Sequence, residues 1–538
     1  MELRKRNIEQ LASSEFDVLI VGGGINGAVS AAALAARGAR VGLIDSRDFA
    51  GFTSQQSSNL VWGGIKYMES YEFGLVAGLC KSRNELLRSF PSTVREIRFL
   101  TTVSRDFRYP PWFMIVGTWF YWILGRGKTL IPKLLSAADI AEREPLINVE
   151  NSHGGIEYSD AYLHDNDARF VFNFIRSAMD KGCIAANYVI SSGASHDSSG
   201  HWTTKAKDVI SGEEFTIQSK LVINAAGAFV DQYNALVGIE TEYHHLFSKG
   251  IHLIVPRISD NYRVLAFFAD DGRLFFAIPM GNRTCIGTTD TRVDDPVTQV
   301  TEEDREFVLW NINARLNLPS PLTRDDIIAE RCGVRPLAVR KGQASETDFL
   351  QLSRKHVVEV LPEQDHISIF GGKLTDCLNV GDEVCEAVAD LGLCLKEAPG
   401  KWYGEPNDAE RIAYYERANQ LGIDKITASD TSEKLSQRLW RRYALQANAM
   451  LDAIEKDASL SEPLIENRGI RRCEIDYLAD NELIVKLEDF LRRRSKIELL
   501  MTCAELRHSQ GLYDACKKLF GDQAKIRFDE YFETVDSA

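Results

Sequence analysis

An apolar strand that runs straight into a glycine-rich turn and an alanine-rich helix leaves a chain few choices of fold. Here the strand is Phe16-Asp17-Val18-Leu19-Ile20-Val21, the turn is Gly22-Gly23-Gly24-Ile25-Asn26-Gly27, and the helix covers residues 28–37. A second apolar strand, residues 40–44, follows and ends on Asp45. Strand, turn, helix, strand and terminal acid make up the dinucleotide-binding fingerprint in its full context. Gly22 permits the tight turn, Gly24 lets the backbone approach a pyrophosphate, and Gly27 lets helix and strand pack closely. The free N–H groups and the dipole at the start of the helix favour phosphate. Asp45, 18 residues after Gly27, is placed to accept hydrogen bonds from a ribose diol. A carboxylate there repels a 2′-phosphate, which disfavours NADP and leaves FAD and NAD. The position of the unit at the start of the chain favours FAD, whose site distant segments complete.

Such segments are present. Residues 220–231 (KLVINAAGAFVD) repeat the order strand, small residues, helix, with Ala226 and Gly227 at the turn. Residues 367–375 do so again, with Gly371-Gly372-Lys373-Leu374-Thr375 after an apolar strand. Residues 49–75 are too polar and small for a core element and suit a loop laid along a ligand. Three glycine-bearing crossings are more than a nicotinamide half-site needs and suit an extended FAD. The cofactor contacts expected are Gly22, Gly24, Ile25, Asn26, Gly27, Asp45, Ser46, Thr53, Ser54, Ser57, Ser58, Leu60, Trp62, Gly63 and Gly64. Ala226, Gly227, Gly372, Lys373, Leu374 and Thr375 complete the set.

Elsewhere the pattern changes twice. Helices are predicted at 72–89, 136–143 and 166–182, and a hairpin tip at 191–201. Between 245 and 345 short apolar strands alternate with turns, as in a β-sheet domain. From 405 onward charged helical patterns take over, with Leu435, Trp440, Tyr443 and Ala447 forming one apolar stripe. The run Arg492-Arg493-Arg494 reads first as a solvated face, with an anion site as the alternative. Residues 112–124 (WFMIVGTWFYWIL) form an apolar run of 13, short of the roughly 20 a spanning helix needs. A buried helix is the first reading of it. An interfacial segment touching lipid is the second, given its Trp and Tyr content and the flanking Arg105, Arg108, Arg126 and Lys128.

Charge and cysteine usage narrow the function. With 63 basic and 77 acidic side chains the net charge is −14, which argues against general nucleic-acid binding. Ten cysteines without a CxxC pair suit a reduced, cytosolic chain, and no zinc spacing occurs, so no metal is expected. No signal peptide is visible.

Taken together, these motifs resemble the FAD-dependent glycerol-3-phosphate dehydrogenases and oxidases of the D-amino-acid-oxidase-like flavoprotein superfamily. IVGGGINGA is similar to the family's opening, and SSNLVWGGIKYMESYEF to its SSKLIHGGLRYLE segment. EYSDAYLHDNDAR, VINAAGAFVD, SKGIHLIVPR, IGTTD, GVRPL and FGGKLT follow in the family's order. LWRRYALQA and LEDFLRRRS resemble its helical cap, so the likeness is nearly full length.

The resemblance implies a mixed α/β fold: a Rossmann-like FAD-binding domain, an antiparallel-sheet substrate domain and an α-helical C-terminal domain. The FAD-binding domain takes residues 1–75, 151–240 and 346–400. Residues 76–150 are a substrate or cap region holding the membrane-contact segment 112–124. Residues 241–345 are the substrate sheet, and 401–538 the helical domain. The activity implied is oxidation of sn-glycerol 3-phosphate to dihydroxyacetone phosphate, with electrons leaving to a quinone or another acceptor. A peripheral place on the inner face of the cytoplasmic membrane suits quinone use, and a homodimer is among the assemblies the likeness allows.

The chemistry needs cations for phosphate and a base for the hydroxyl proton. Arg335, in GVRPL, matches a family arginine near substrate and can hold phosphate bidentately. Lys373 sits in the double-glycine loop, and Arg354 aligns with another phosphate-pocket arginine. Two departures stand out. The family's active-site histidine is Trp62 here, which cannot take a proton, and its arginine is Lys66, which keeps the charge but loses the planar fork. Tyr67, His252 or water is left as the base, as is Lys66 if it is buried. A changed substrate, another anionic hydroxy or amino compound, and a catalytically silent FAD protein are the alternatives.

Overall fold

The computed structural model describes residues 2–105, 107–269, 272–342, 355–396, 400–426, 433–465 and 469–537. Two sheets and a helical bundle organise them. The apolar strand Glu15–Val21 lies at the centre of the first sheet, parallel to Val41–Ile44 on one side and to Glu214–Asn224 on the other. His366–Phe370 and Ile184–Ala186 extend the parallel core outward. Strands this buried on both faces are near-continuous apolar runs, as Val18, Leu19 and Ile20 are. Helix Ile25–Ala36 covers the sheet, and nearly every residue in it is buried, so its alanines are a packing requirement. The consecutive strands Val189–His196, Trp202–Asp208 and Glu214–Asn224 pair antiparallel, and the tip of their first hairpin is 197–201, shorter than the predicted 191–201.

The second sheet has ten strands, built chiefly from residues 243–340. Tyr243–Pro256 pairs antiparallel with Arg283–Gly287 and, from Tyr243 to Ile254, with Ala329–Arg340. Neighbours are antiparallel except Val264–Phe268 beside Val94–Ser104. Ser152–Leu163, expected within the FAD-binding segment 151–240, joins this second sheet instead, paired with Val94–Ser104. Leu60–Val61 also belongs here. The reason is pairing: Ser152–Leu163 is buried along nearly all its length, with Val94–Ser104, Leu60–Val61 and Lys133–Leu135, all of the second sheet, as its three partner strands.

The C-terminal helices enclose a core of Leu439, Trp440, Tyr443, Leu478, Phe490 and Leu512. Their docking corrects one expectation. Arg492, Arg493 and Arg494 are all buried, not solvated. Arg493 and Arg494 hold Asp48, just past the second strand of the fingerprint, at 2.6 and 2.8 Å. A charge run reads as a surface until a distant carboxylate is found for it, and removing either side of a buried pair typically costs about 3–5 kcal/mol.

Residues 112–124 correct a second. Helix Pro111–Leu124 buries only Thr118 and Tyr121. Trp112, Phe113, Val116, Trp119, Phe120 and Ile123 are exposed, Trp112 by 63%. A helix apolar all round ordinarily lies inside. This one has the second sheet on a single side, so its other side is a bare apolar face. Among the described residues no helix is long and apolar enough to cross a membrane.

Candidate active site

The fingerprint turn is shaped by contacts that only glycine allows. Gly22 has φ +106°, and a methyl group there would run into the Ala225 carbonyl. At Gly27 it would overlap the Gly22 carbonyl oxygen, so helix and turn touch main chain to main chain. Gly24 is different: a methyl would meet only the Ser54 hydroxyl, at 3.3 Å, and the space above it faces outward. Ser54 Oγ accepts the Ile25 N–H at 3.0 Å at the start of the helix. Asp45 accepts from Gly23 N–H at 2.7 Å and Arg47 N–H at 2.8 Å, while burial pushes its carboxyl up to about 6.

Gly22, Gly24, Asp45, Ser46, Thr53, Ser54, Ala226 and Gly227 together line one cleft of about 530 Å³. Its far end is closed by Ile190, Phe229, Tyr233 and Leu236, which the sequence motifs did not single out. Their signal is faint, since apolar residues on a strand such as Val189–His196 or a short helix such as Val230–Val237 look like ordinary core. The cleft fits FAD: small residues on the floor, helix N–H groups at the middle, a carboxylate for the ribose and an apolar end for the adenine. Several expected contacts have other partners. Ile25 donates its N–H to Ser54 and packs its side chain against the core. The Asn26 amide donates to Gly371 O at 3.0 Å, tying the double-glycine loop to the helix. Ser57 donates to Asp167 at 2.8 Å, Thr53 to Val334 O at 2.8 Å, and Ser58 is half-buried in the same loop. Leu60 is half-buried against the second sheet.

The remaining residues meet on that sheet. Ser248, Gly250 and His252 alternate along one strand opposite Arg335, Gly333 and Arg331 of its neighbour, so the six share a face. A methyl on Gly250 would overlap the Arg335 guanidinium, so glycine here makes room for it. Arg335 donates to Thr288 Oγ1 at 3.1 Å and Ser248 Oγ at 3.3 Å, with Asp290 at 3.5 Å. His252 is buried, and neither ring nitrogen has a hydrogen-bond partner among the described residues. Burial first, then Arg331 and Arg335, lower its pKa to about 3, so the imidazole is neutral. Arg331 clasps the loop from the other side, donating to Ser57 O and to Asn59 Oδ1.

The turn from Trp62 to Tyr67 packs against the same face. Ile254, two residues beyond His252, belongs to the cluster that receives Trp62 and Tyr67. Gly64 has φ +79°, and the rings of Trp62 and Tyr67 lie 6.2 Å apart. Lys373 Nζ sits 3.9 Å above the Tyr67 ring, and Thr375 donates to Trp62 O at 3.3 Å. Leu374 and Gly372 complete that loop, which leads into helix Cys377–Asp390. Lys66 is exposed, so it lacks the burial that a base role requires. Arg354 lies outside the described residues. Among those residues no group of His, Cys, Asp and Glu is arranged to hold a metal ion.

Residues 17–358 match the family described as FAD dependent oxidoreductase, and residues 409–525 match the C-terminal domain of alpha-glycerophosphate oxidase. A glycerol-3-phosphate dehydrogenase of Pseudomonas tolaasii is 30% identical, over 91% of this chain and 93% of its own. An aerobic glycerol-3-phosphate dehydrogenase of Staphylococcus aureus is 26% identical, over 98% and 95%. Among solved structures, the glycerol-3-phosphate dehydrogenase of Bacillus halodurans complexed with FAD superposes with a TM-score of 0.74 at 25% identity, covering 99% of this chain and 97% of that one.

Proposed function

The chain belongs to the FAD dependent oxidoreductase family, and on that premise we propose that it oxidises sn-glycerol 3-phosphate to dihydroxyacetone phosphate. Its cofactor is FAD, and it is an enzyme of the glycerol-3-phosphate-dehydrogenase type. One observation carries the substrate reading: a buried, neutral imidazole, without a hydrogen-bond partner among the described residues, shares a strand-pair face with a half-buried arginine. The first suits a hydroxyl and the second a phosphate.

Gly22, Gly24, Asp45, Ser54, Ala226 and Gly227 would hold the cofactor, which when bound supplies the acceptor for the hydride leaving the alcohol carbon. Arg335 binds the phosphate dianion. His252 accepts the hydroxyl proton at a ring nitrogen as the carbon–oxygen double bond forms. An imidazole held near 3 is a weak base in the free protein. The phosphate dianion offsets the field of Arg335, and a hydroxyl in the pocket gives the ring a partner, so substrate binding raises its basicity. Lys373 and Tyr67 close the pocket beside the turn.

Anaerobic mixing with glycerol 3-phosphate while following the visible flavin band tests this. The band should bleach promptly, and His252→Gln should bleach about 100-fold more slowly or worse, the usual range for a lost base. A band unmoved in the wild-type protein would discard glycerol 3-phosphate. Trp62 in the place of the family's histidine would then direct the search to other anionic alcohols or amines.

The electrons go to a quinone or another acceptor, and the apolar face of Pro111–Leu124 supports peripheral attachment to a lipid surface. Exposed Arg108, Arg126 and Lys128 flank its aromatic residues, as an interfacial helix on anionic lipid requires. In flotation with anionic vesicles the protein should rise with the lipid, and Trp119→Glu with Ile123→Glu should leave it below. A wild-type protein that stays in the bottom fraction would remove the lipid assignment.

A further inference from the structure

Directly behind the turn Trp62–Tyr67 lies a sealed polar network that the reaction itself does not use. Asp160, on the strand Ser152–Leu163, is wholly buried. Its Oδ1 accepts the Arg83 guanidinium at 2.9 Å and the main-chain N–H of Gly63 at 3.1 Å. Its Oδ2 accepts the Tyr121 hydroxyl at 2.7 Å, and that hydroxyl in turn accepts from Arg83 at 3.2 Å. Burial and the neighbouring carboxylate hold the Tyr121 phenol far above its ordinary pKa, so it remains a donor.

Such a network is a poor choice for stability alone. Replacing a buried ion pair with apolar side chains is often neutral or stabilising, whereas a satisfied network fixes geometry. What this one fixes is visible in its contacts. A methyl on Gly63 would overlap the Tyr121 hydroxyl and lie 2.9 Å from the Cys80 sulfur, so the hydroxyl sits directly on the turn. The next residue, Gly64, is equally confined: a methyl there would lie 2.6 Å from the Tyr67 ring. Tyr67 carries Lys373 above it. Contacts therefore run without slack from Tyr121 through Gly63 and Gly64 to Tyr67 and Lys373.

We infer that Asp160, keyed by Tyr121 and Arg83, is a positioning residue that sets where the turn Trp62–Tyr67 stands relative to flavin and substrate. The inference rests on the reading of the site given above. It also explains why a helix as exposed as Pro111–Leu124 spends one of its two buried residues on a tyrosine.

Asp160→Asn leaves the buried Arg83 without a counter-charge and is expected to lower the melting temperature. Tyr121→Phe keeps the ion pair and carries the test. In the holoenzyme it should slow anaerobic bleaching by glycerol 3-phosphate on the order of tenfold, as a small misplacement of reacting groups does. KM should change less than kcat, and the resting flavin band should shift or broaden. Bleaching and band both identical to wild type would overturn the assignment, as would a lowered melting temperature with the rate unchanged. If glycerol 3-phosphate bleaches neither protein yet the bands differ, the substrate reading fails and the positioning role stands.

Discussion

Arg335→Ala is expected to lower kcat/KM for glycerol 3-phosphate by about a thousandfold, roughly 4 kcal/mol, which is the scale of one charge removed from a desolvated ion pair. Arg335 shares a face with His252 and with the buried Arg331, and Gly250 is glycine so that the Arg335 guanidinium fits there. Its contacts with Thr288, Ser248 and Asp290, at 3.1 to 3.5 Å, are longer than the about 2.7–2.9 Å of ordinary charge-assisted bonds. A phosphate oxygen offers it a better partner. The loss should fall on KM and kcat together, because the same contact orients the hydroxyl toward His252. Arg335→Lys should recover only part of it, since an ammonium keeps the charge without the planar fork. Steady-state kinetics with glycerol 3-phosphate and a soluble electron acceptor would decide. A variant with wild-type kcat/KM would place the phosphate elsewhere.

Gly27→Ala should yield no yellow protein. Its methyl group would overlap the Gly22 carbonyl oxygen, and no rotamer change can relieve a clash with main chain. The helix must retreat from the strand, and with it goes the turn that holds the pyrophosphate. Gly24→Ala makes the informative contrast. There the methyl meets one hydroxyl at 3.3 Å, which a small shift of Ser54 can absorb. The chain should fold, with a melting temperature near that of the wild-type apoprotein, yet hold FAD weakly because the methyl stands where the pyrophosphate approaches. Flavin absorbance per mole of protein, with circular dichroism for the fold, separates the two. Gly24→Ala with full flavin content would show that the phosphates lie elsewhere along the cleft.

Much of this was legible in the sequence, for a physical reason. A turn that must admit a pyrophosphate and a helix that must touch a strand leave short, local and chemically strict signatures around Gly22, Gly24, Gly27 and Asp45. Helices with one polar face were equally plain: residues 72–89, 136–143 and 166–182 correspond to Phe73–Ser89, Ala137–Arg143 and Asp167–Met179. What escaped depends on partners far away. Nothing near Arg492–Arg494 announces Asp48, and an apolar run carries no mark of which side lacks a neighbour, as residues 112–124 show. Residues 152–163 were counted with the FAD-binding segment 151–240 because a mixed run such as SHGGIEYSDAYL carries no mark of its partner, and only pairing decides. His252 was visible as one option among several. That neither ring nitrogen has a hydrogen-bond partner among the described residues, which makes it the stronger base candidate, is a property of three-dimensional packing alone.

The clasp between Asp48 and the two arginines has a consequence for how the protein is made. These partners lie 445 and 446 positions apart along the chain. At a synthesis rate of roughly 5–20 residues per second, Asp48 leaves the ribosome about 20–90 seconds before its counter-charges exist. The segment 371–375 that meets the fingerprint helix also emerges late. The nascent chain therefore carries the opening fingerprint as an unfinished half-site through most of its synthesis. Completion of the flavin site is accordingly expected only after residues 371–375 and Arg493–Arg494 have been synthesised.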